Sequence, residues 1–354
     1  MKRCVVTLML AFGALLISAT TASAATWNVW PGHSIQRAIR HASPGDTIIV
    51  HRGVYHESLT IRKSHLTLIG LHATLKQPAH PRGLCAQATA PEVDGLCVVG
   101  GVDFQTGAPT GAPVRGTTIR GLRIAGFKGD GLFMFHVANT HIERVRSVGN
   151  SGYGIAGFVQ HGGAYLWNVA RNNGEPGFYL GDSPHADYVI AHNRSSGNQY
   201  GIFIRHSAYG RVHDNKVWGN CVGAFLLDDG QPGGIHDMDL WDNRSWANDK
   251  ACPADPEGAP PLSGIGVLLL GARHTVLHDN TITNNVPGGD SFISGGLVLM
   301  SAKPFGGTPV RNDHIRDNTI TGNQAFDIFY DGSGFNNTFT GNTCNTSHPS
   351  SICS

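Results

Sequence analysis

Three residues of chemically useful type, Asp182, His206 and Asp228, occupy matching places in three successive stretches of the chain. Each is the fifth residue after the glycine that opens an apolar run: "GFYL" at 177, "GIFI" at 201 and "GAFLL" at 223. If those runs are strands that stack, the three side chains form one column with steps of about 4.8 Å. Arg205 and Asp229 flank its middle. Such a patch holds the parts needed to remove a proton from a carbon next to a carboxylate: a base, a proton donor, and a cation that neutralises the substrate's carboxylate. His206 is the expected base and Arg205 the expected neutraliser. The column also offers a second chemistry. Asp182 and Asp228, two steps apart, would sit about 9–10 Å from each other, near the spacing of the two carboxylates in inverting glycosidases. Asp and His at strand ends also commonly do no more than satisfy turn backbone. The long segments after the same run ends, "DDGQPGG" at 228 and "SAKPFGGTPV" at 301, favour a groove, because insertions on one side of stacked repeats tend to build its walls.

The elements that must position this column are repeats. Asparagines five apart recur as Asn168/Asn173, Asn193/Asn198, Asn215/Asn220, Asn243/Asn248, Asn280/Asn285 and Asn318/Asn323. The first of each pair advances by 25, 22, 28, 37 and 38 residues, a unit near two dozen with two large insertions. Looser copies of the glycine-led run stand at 131 and 154, and later ones at 266 and 296. Position five in those copies is His136, Val159, Gly271 and Ser301. A unit of this length with no helical stripe cannot bury its apolar face alone and must stack on its neighbours. Within a unit, short β runs alternate with Asn/Gly turns, as in "YVIAHNRSSG" and "TVLHDNTITNN". Stacking would align the asparagines into ladders of side-chain amides, and Asn tolerates the left-handed backbone of sharp turns. The fold class that follows is all-β, a single-stranded solenoid.

With these phrases in hand, the chain resembles the right-handed parallel β-helix repeat proteins, the pectate lyase-like superfamily, which includes pectate lyases, alginate lyases and epimerases, and NosD-like periplasmic proteins. The resemblance covers roughly residues 26 to 345 and includes the opening "SIQRAIRHASPGDTIIVHRGVYHESLTIRKSHLTLIG". There Ile35, Ala38, Ile39 and Ala42 have helical spacing, and the family implies a right-handed parallel β-helix with an N-terminal helical cap. "YLGDSPH" is similar to the Tyr-x-x-Asp-Pro-His of mannuronan epimerases and related lyases, with Ser183 inserted. The resemblance therefore implies catalytic roles for Tyr179, Asp182 and His185 beside Arg205, His206 and Asp228, although Asp228 stands where the family has an arginine. It implies an acidic polysaccharide or cell-wall glycan as substrate, changed by β-elimination or C5-epimerisation of uronates. Two alternatives remain open: a non-catalytic glycan-binding or NosD-like accessory protein, and a polygalacturonase-like glycoside hydrolase. "DDG" at 228 is similar to the hydrolase's Asp-Asp, but its Asn-Thr-Asp, Gly-His-Gly and Arg-Ile-Lys motifs are missing.

Bulk properties narrow the rest. The net charge is +1 and charged residues make up 14%, with no basic run of the kind that phosphate binding needs, so nucleic acid is not an expected partner. Residues 1–24 read as a signal peptide: Lys2-Arg3, an apolar run from Val5 to Ile17, and a small-x-small site before cleavage at Ala24. Residues 25–354 then form one β-helix domain, secreted to the periplasm or the exterior, without a membrane span and expected to be a monomer. Six cysteines remain after cleavage, and in an oxidising compartment they pair. Proximity gives Cys85–Cys97, Cys221–Cys252 and Cys344–Cys353. No cofactor is required; calcium is admitted, because Asp214, Asp242, Asp279 and Asp317 each precede a ladder asparagine and could share it, or else pair with His213, His278 and Arg316. Trp218, Trp241 and Trp246 are candidates to stack on sugar rings or to pack in turns.

Overall fold

A computed structural model describes residues 23–87, 91–103, 105–255 and 258–353. The expected leader, residues 1–24, lies outside the described residues except for its last two. The chain winds into parallel coils with three faces. The first face carries the glycine-led runs, including Phe178–Ser183, Tyr200–Ser207, Val222–Leu227 and Ile265–Leu270. The second carries Tyr188–Ala191, Gly210–His213, Asp239–Trp241 and their equivalents. These two faces merge into one 22-stranded sheet, because the long strands Leu132–Glu143 and Ile155–Leu166 bend through both. The third face is a separate ten-stranded sheet.

Alternation along each strand decides what points inward. On the first face Ile155, Phe178, Ile202, Ala224 and Val267 are register partners and fill the core. Their chain neighbours Ala156, Tyr179, Phe203, Phe225 and Leu268 form the outward row. The asparagines make two internal ladders. In one, Asn168, Asn193, Asn215, Asn243, Asn280 and Asn318 each pass an amide hydrogen to the next at 2.9–3.1 Å. The other runs from Asn150 through Asn173 and Asn198 to Asn323. These amides satisfy the backbone groups that each turn leaves unpaired inside the solenoid.

Helix Ile35–His41 lays Ile35, Ala38 and Ile39 against the first strands, with Ser34 as its N-cap and Glu57 taking the amides of Ile35 and Gln36. All three expected disulfides form: Cys85–Cys97, Cys221–Cys252 and Cys344–Cys353. Bridges of this kind persist in oxidising compartments. No helix among the described residues is long and apolar enough to cross a membrane.

Candidate active site

The column of position-five residues is also a column of unusual backbone. His136, Val159, Asp182 and His206 all have positive φ, between 45° and 52°, at the corner where the first face turns into the second. Asp and His are among the few side chains that enter this region readily, so the corner itself selects their types. Val159 is β-branched and strained there.

Register carries Asp182 beside His206, since Gly181 pairs with Arg205 and Ser183 with Ser207. His206 Nδ1 lies 3.0 Å from Asp182 Oδ1, and its Nε2 meets Asp229 Oδ1. Arg205 Nε in turn donates to Asp229 Oδ2 at 2.8 Å. Arg205, Asp229, His206 and Asp182 therefore form one chain of charge-assisted contacts. The His206 side chain is 1% exposed and that of Asp182 51%. Each ring nitrogen of His206 thus faces a carboxylate. Neither ring nitrogen of His206 is open to a substrate, and Arg205 is occupied by Asp229, so the free base and free neutraliser expected of these two are not what the geometry presents. The most exposed of the four side chains is Asp182.

Beside Asp182 lies a cleft of about 380 Å³ whose lining includes Arg115, His136, His161, Asp182, Pro184 and His185. His136 Nδ1 donates to the Gly101 carbonyl at 2.9 Å, and His161 Nδ1 to the His185 carbonyl at 2.7 Å. Arg115, His161 and His185 are exposed. Tyr179 lies behind, in the outward row, packed among Tyr153, Phe158 and Phe203. Burial, and then the Asp182 carboxylate, push its phenol far above the ordinary range, so it stays protonated. Burial alone would lower the Arg205 guanidinium, but Asp229 holds it above its ordinary value.

Asp228 shares the column but not the cleft. It is 3% exposed, and its carboxylate accepts from Gly230 N at 3.1 Å and Thr308 Oγ1 at 2.8 Å. It clasps the loop 228–234 to the loop 301–309. The second carboxylate that meets His206, besides Asp182, is that of its neighbour Asp229. A hydrolase reading that pairs Asp182 with Asp228 thus loses its second carboxylate. The cleft also holds residues that the column did not reveal. Arg115 lies in a coil without the asparagine phrase and His161 lies beyond position five, whereas His185, also beyond it, is the residue that "YLGDSPH" had already offered.

At the next corner Asp214, Asp242, Asp279 and Asp317 also have positive φ. His213, His278 and Arg316 pair with Asp214, Asp279 and Asp317 at 2.6–3.1 Å. The tryptophans turn their faces to protein rings: Trp218 stacks on Trp246 at 5.0 Å, and Trp241 lies between His213 and His278.

The right handed beta helix region, as a family, matches residues 116–352. The fold is similar to that of the mannuronan C-5 epimerase AlgE6 A-module of Azotobacter vinelandii, with a TM-score of 0.60 and 20% identity over 87% of this chain and 88% of that one. It is also similar to the periplasmic alginate epimerase AlgG (TM-score 0.57, 14% identity, 89% and 83%) and to the Dettilon tailspike protein (TM-score 0.55, 15% identity, 90% and 58%). At these identities the likeness carries the fold. No curated protein sequence matches the chain.

Proposed function

Because the chain belongs to the right handed beta helix family, a scaffold that hosts many activities, we propose its function from its own cleft: proton transfer at the carbon next to the carboxylate of a uronate unit in an acidic polysaccharide. One observation carries this reading. Asp182 is an exposed carboxylate on the cleft wall, hydrogen-bonded to a buried imidazole that Asp229 and Arg205 hold in place. Asp182 takes the proton, and His206 orients the carboxylate that receives it. Arg115, His161 and His185 line or edge the same cleft and are the donors toward the sugar's carboxylate, which must be neutralised as negative charge develops on its α-carbon. Expulsion of the group on the β-carbon completes an elimination. Return of a proton to the opposite face completes an epimerisation. Two of the structures with a similar fold are a mannuronan and an alginate epimerase, which supports the same substrate class.

The test uses the protein with polymannuronate, polyguluronate and pectate, with and without calcium. Ultraviolet absorbance reads the unsaturated uronate of elimination, and deuterium incorporation from heavy water reads epimerisation. Asp182→Asn should lower the rate by about 10²-fold or more, the typical contribution of a positioned acid–base group. Neither signal on any polymer, or full activity in the variant, would end this reading. Binding without turnover would instead make the chain a non-catalytic glycan-binding protein.

A further inference from the structure

Side chains that point outward from a solenoid reach zero exposure only where something covers them. Along the outward row of the first face, Phe133 and Phe203 are half-buried and Tyr179 is covered by the neighbouring rings of Tyr153, Phe158 and Phe203, whereas Phe225, Leu268 and Val298 farther along are 6%, 3% and 0% exposed. The cover comes from three insertions, whose residues Leu262, Ile293 and Ala302 pack into one apolar cluster with Phe225, Leu268 and Val298. It is tied down at several points. Cys252 is bridged to Cys221 on the face itself, and Cys252 and Leu262 exchange backbone hydrogen bonds at 3.0 Å each way. Ser263 N donates to Ser291 Oγ at 2.9 Å, joining two of the insertions.

The corner column is closed over the same coils. Gly271, at φ 76°, lies so close under the loop 301–309 that a Cβ there would come within 2.6 Å of Ala302. Thr308 is clasped by Asp228, and Gly233 of the neighbouring loop approaches Pro184 on the cleft wall. The open cleft thus extends from Arg115 to His185, three steps of the solenoid or about 14 Å, and is stopped beyond Asp182 by the loop 228–234, which carries both Asp229 and Gly233.

We infer that this cleft is a blind-ended site that takes the end of an anionic glycan chain, and that the insertions 249–263, 286–294 and 301–309 prevent a polymer from lying along the full length of the solenoid. The inference rests on the function proposed above and adds the mode of attack: units near one chain end are processed, and internal units are not bound. The ligand chemistry follows from Arg115, His161 and His185, which present cationic or hydrogen-bond-donating groups along the open part.

Binding stoichiometry tests it. Isothermal titration with polymannuronate fractions of defined length, from tetramer to long polymer, would use both the wild-type protein and Asp182→Asn, which keeps the cleft while slowing turnover. One protein bound per chain at every length is the expected result, so halving the mean length at fixed mass doubles the protein bound. A number bound per chain that grows in proportion to length would overturn the blind-ended site and leave the proposed substrate intact. Absence of binding to every polyuronate would remove the substrate class and this inference with it.

Discussion

Asp313 shows how a single buried carboxyl contributes to the pH response of the fold. It is fully buried, accepts from Thr275 N at 2.8 Å through Oδ1, and donates its own amide to Asn337. Its Oδ2 is buried without a hydrogen-bond partner. Burial pushes this carboxyl up to about 7. The folded value lies above the unfolded one, so between about pH 4 and 7 the folded protein keeps a proton that the unfolded chain releases. Stability therefore falls as pH rises through that window and levels off above it. Asp313→Asn keeps the acceptor and removes the charge. Urea denaturation should find the variant more stable than wild type near about pH 8, by up to a few kcal/mol, and nearly equal near about pH 4. A constant difference at both pH values would rule out the titration as its cause. Asp182 and His206 illustrate another limit at this scale. Their types were visible as chemistry, but the left-handed corner favours the same types for backbone reasons alone, and only their contacts separate the two.

At the scale of the element, the asparagine ladder is the feature that most directly joins pattern to stability. Asn215 Oδ1 accepts from both the backbone and the side-chain amide of Asn193 at 3.0 Å, and its Nδ2 donates to Ile190 O at 2.7 Å. Asn215→Ala would leave these groups unpaired inside the solenoid, where each costs about 1–3 kcal/mol. The expected loss is at least about 3 kcal/mol by chemical denaturation. Asn342 occupies the half-buried end of the same ladder, where water can replace the amide, so Asn342→Ala should cost clearly less. Equal losses at both positions would mean that burial does not set the cost. The ladder was legible because its spacing recurs in the sequence. The cover over the first face was not. The insertions at 228 and 301 could be placed after the strands, but those at 249–263 and 286–294 were visible only as longer repeat intervals, with no sign of which face they would cross.

For the whole molecule, the cover converts an open face into a bounded site, and the Cys221–Cys252 bridge anchors it. Closing a loop of 31 residues stabilises by roughly 3–4 kcal/mol in the chain-entropy description. Cys221→Ser with Cys252→Ser should therefore lower the melting temperature and make 249–263 the first site of limited proteolysis. First cleavage elsewhere, with the melting temperature unchanged, would show that Leu262 and its apolar partners hold the cover without the bridge. What the sequence determined alone was everything that depends on periodicity: the parallel solenoid, the two ladders, and the corner where Asp182 and His206 meet. Repetition encodes these directly, since each coil has to match the one before it. What only the tertiary structure decided was non-repeating. Asp228 turned into a loop clasp while Asp229 met His206, Arg115 and His161 joined the cleft from other positions in their coils, and the insertions closed one end. Those outcomes depend on where irregular loops settle, and that is set by packing between segments far apart in the chain, as when Thr308 reaches Asp228 across 80 residues.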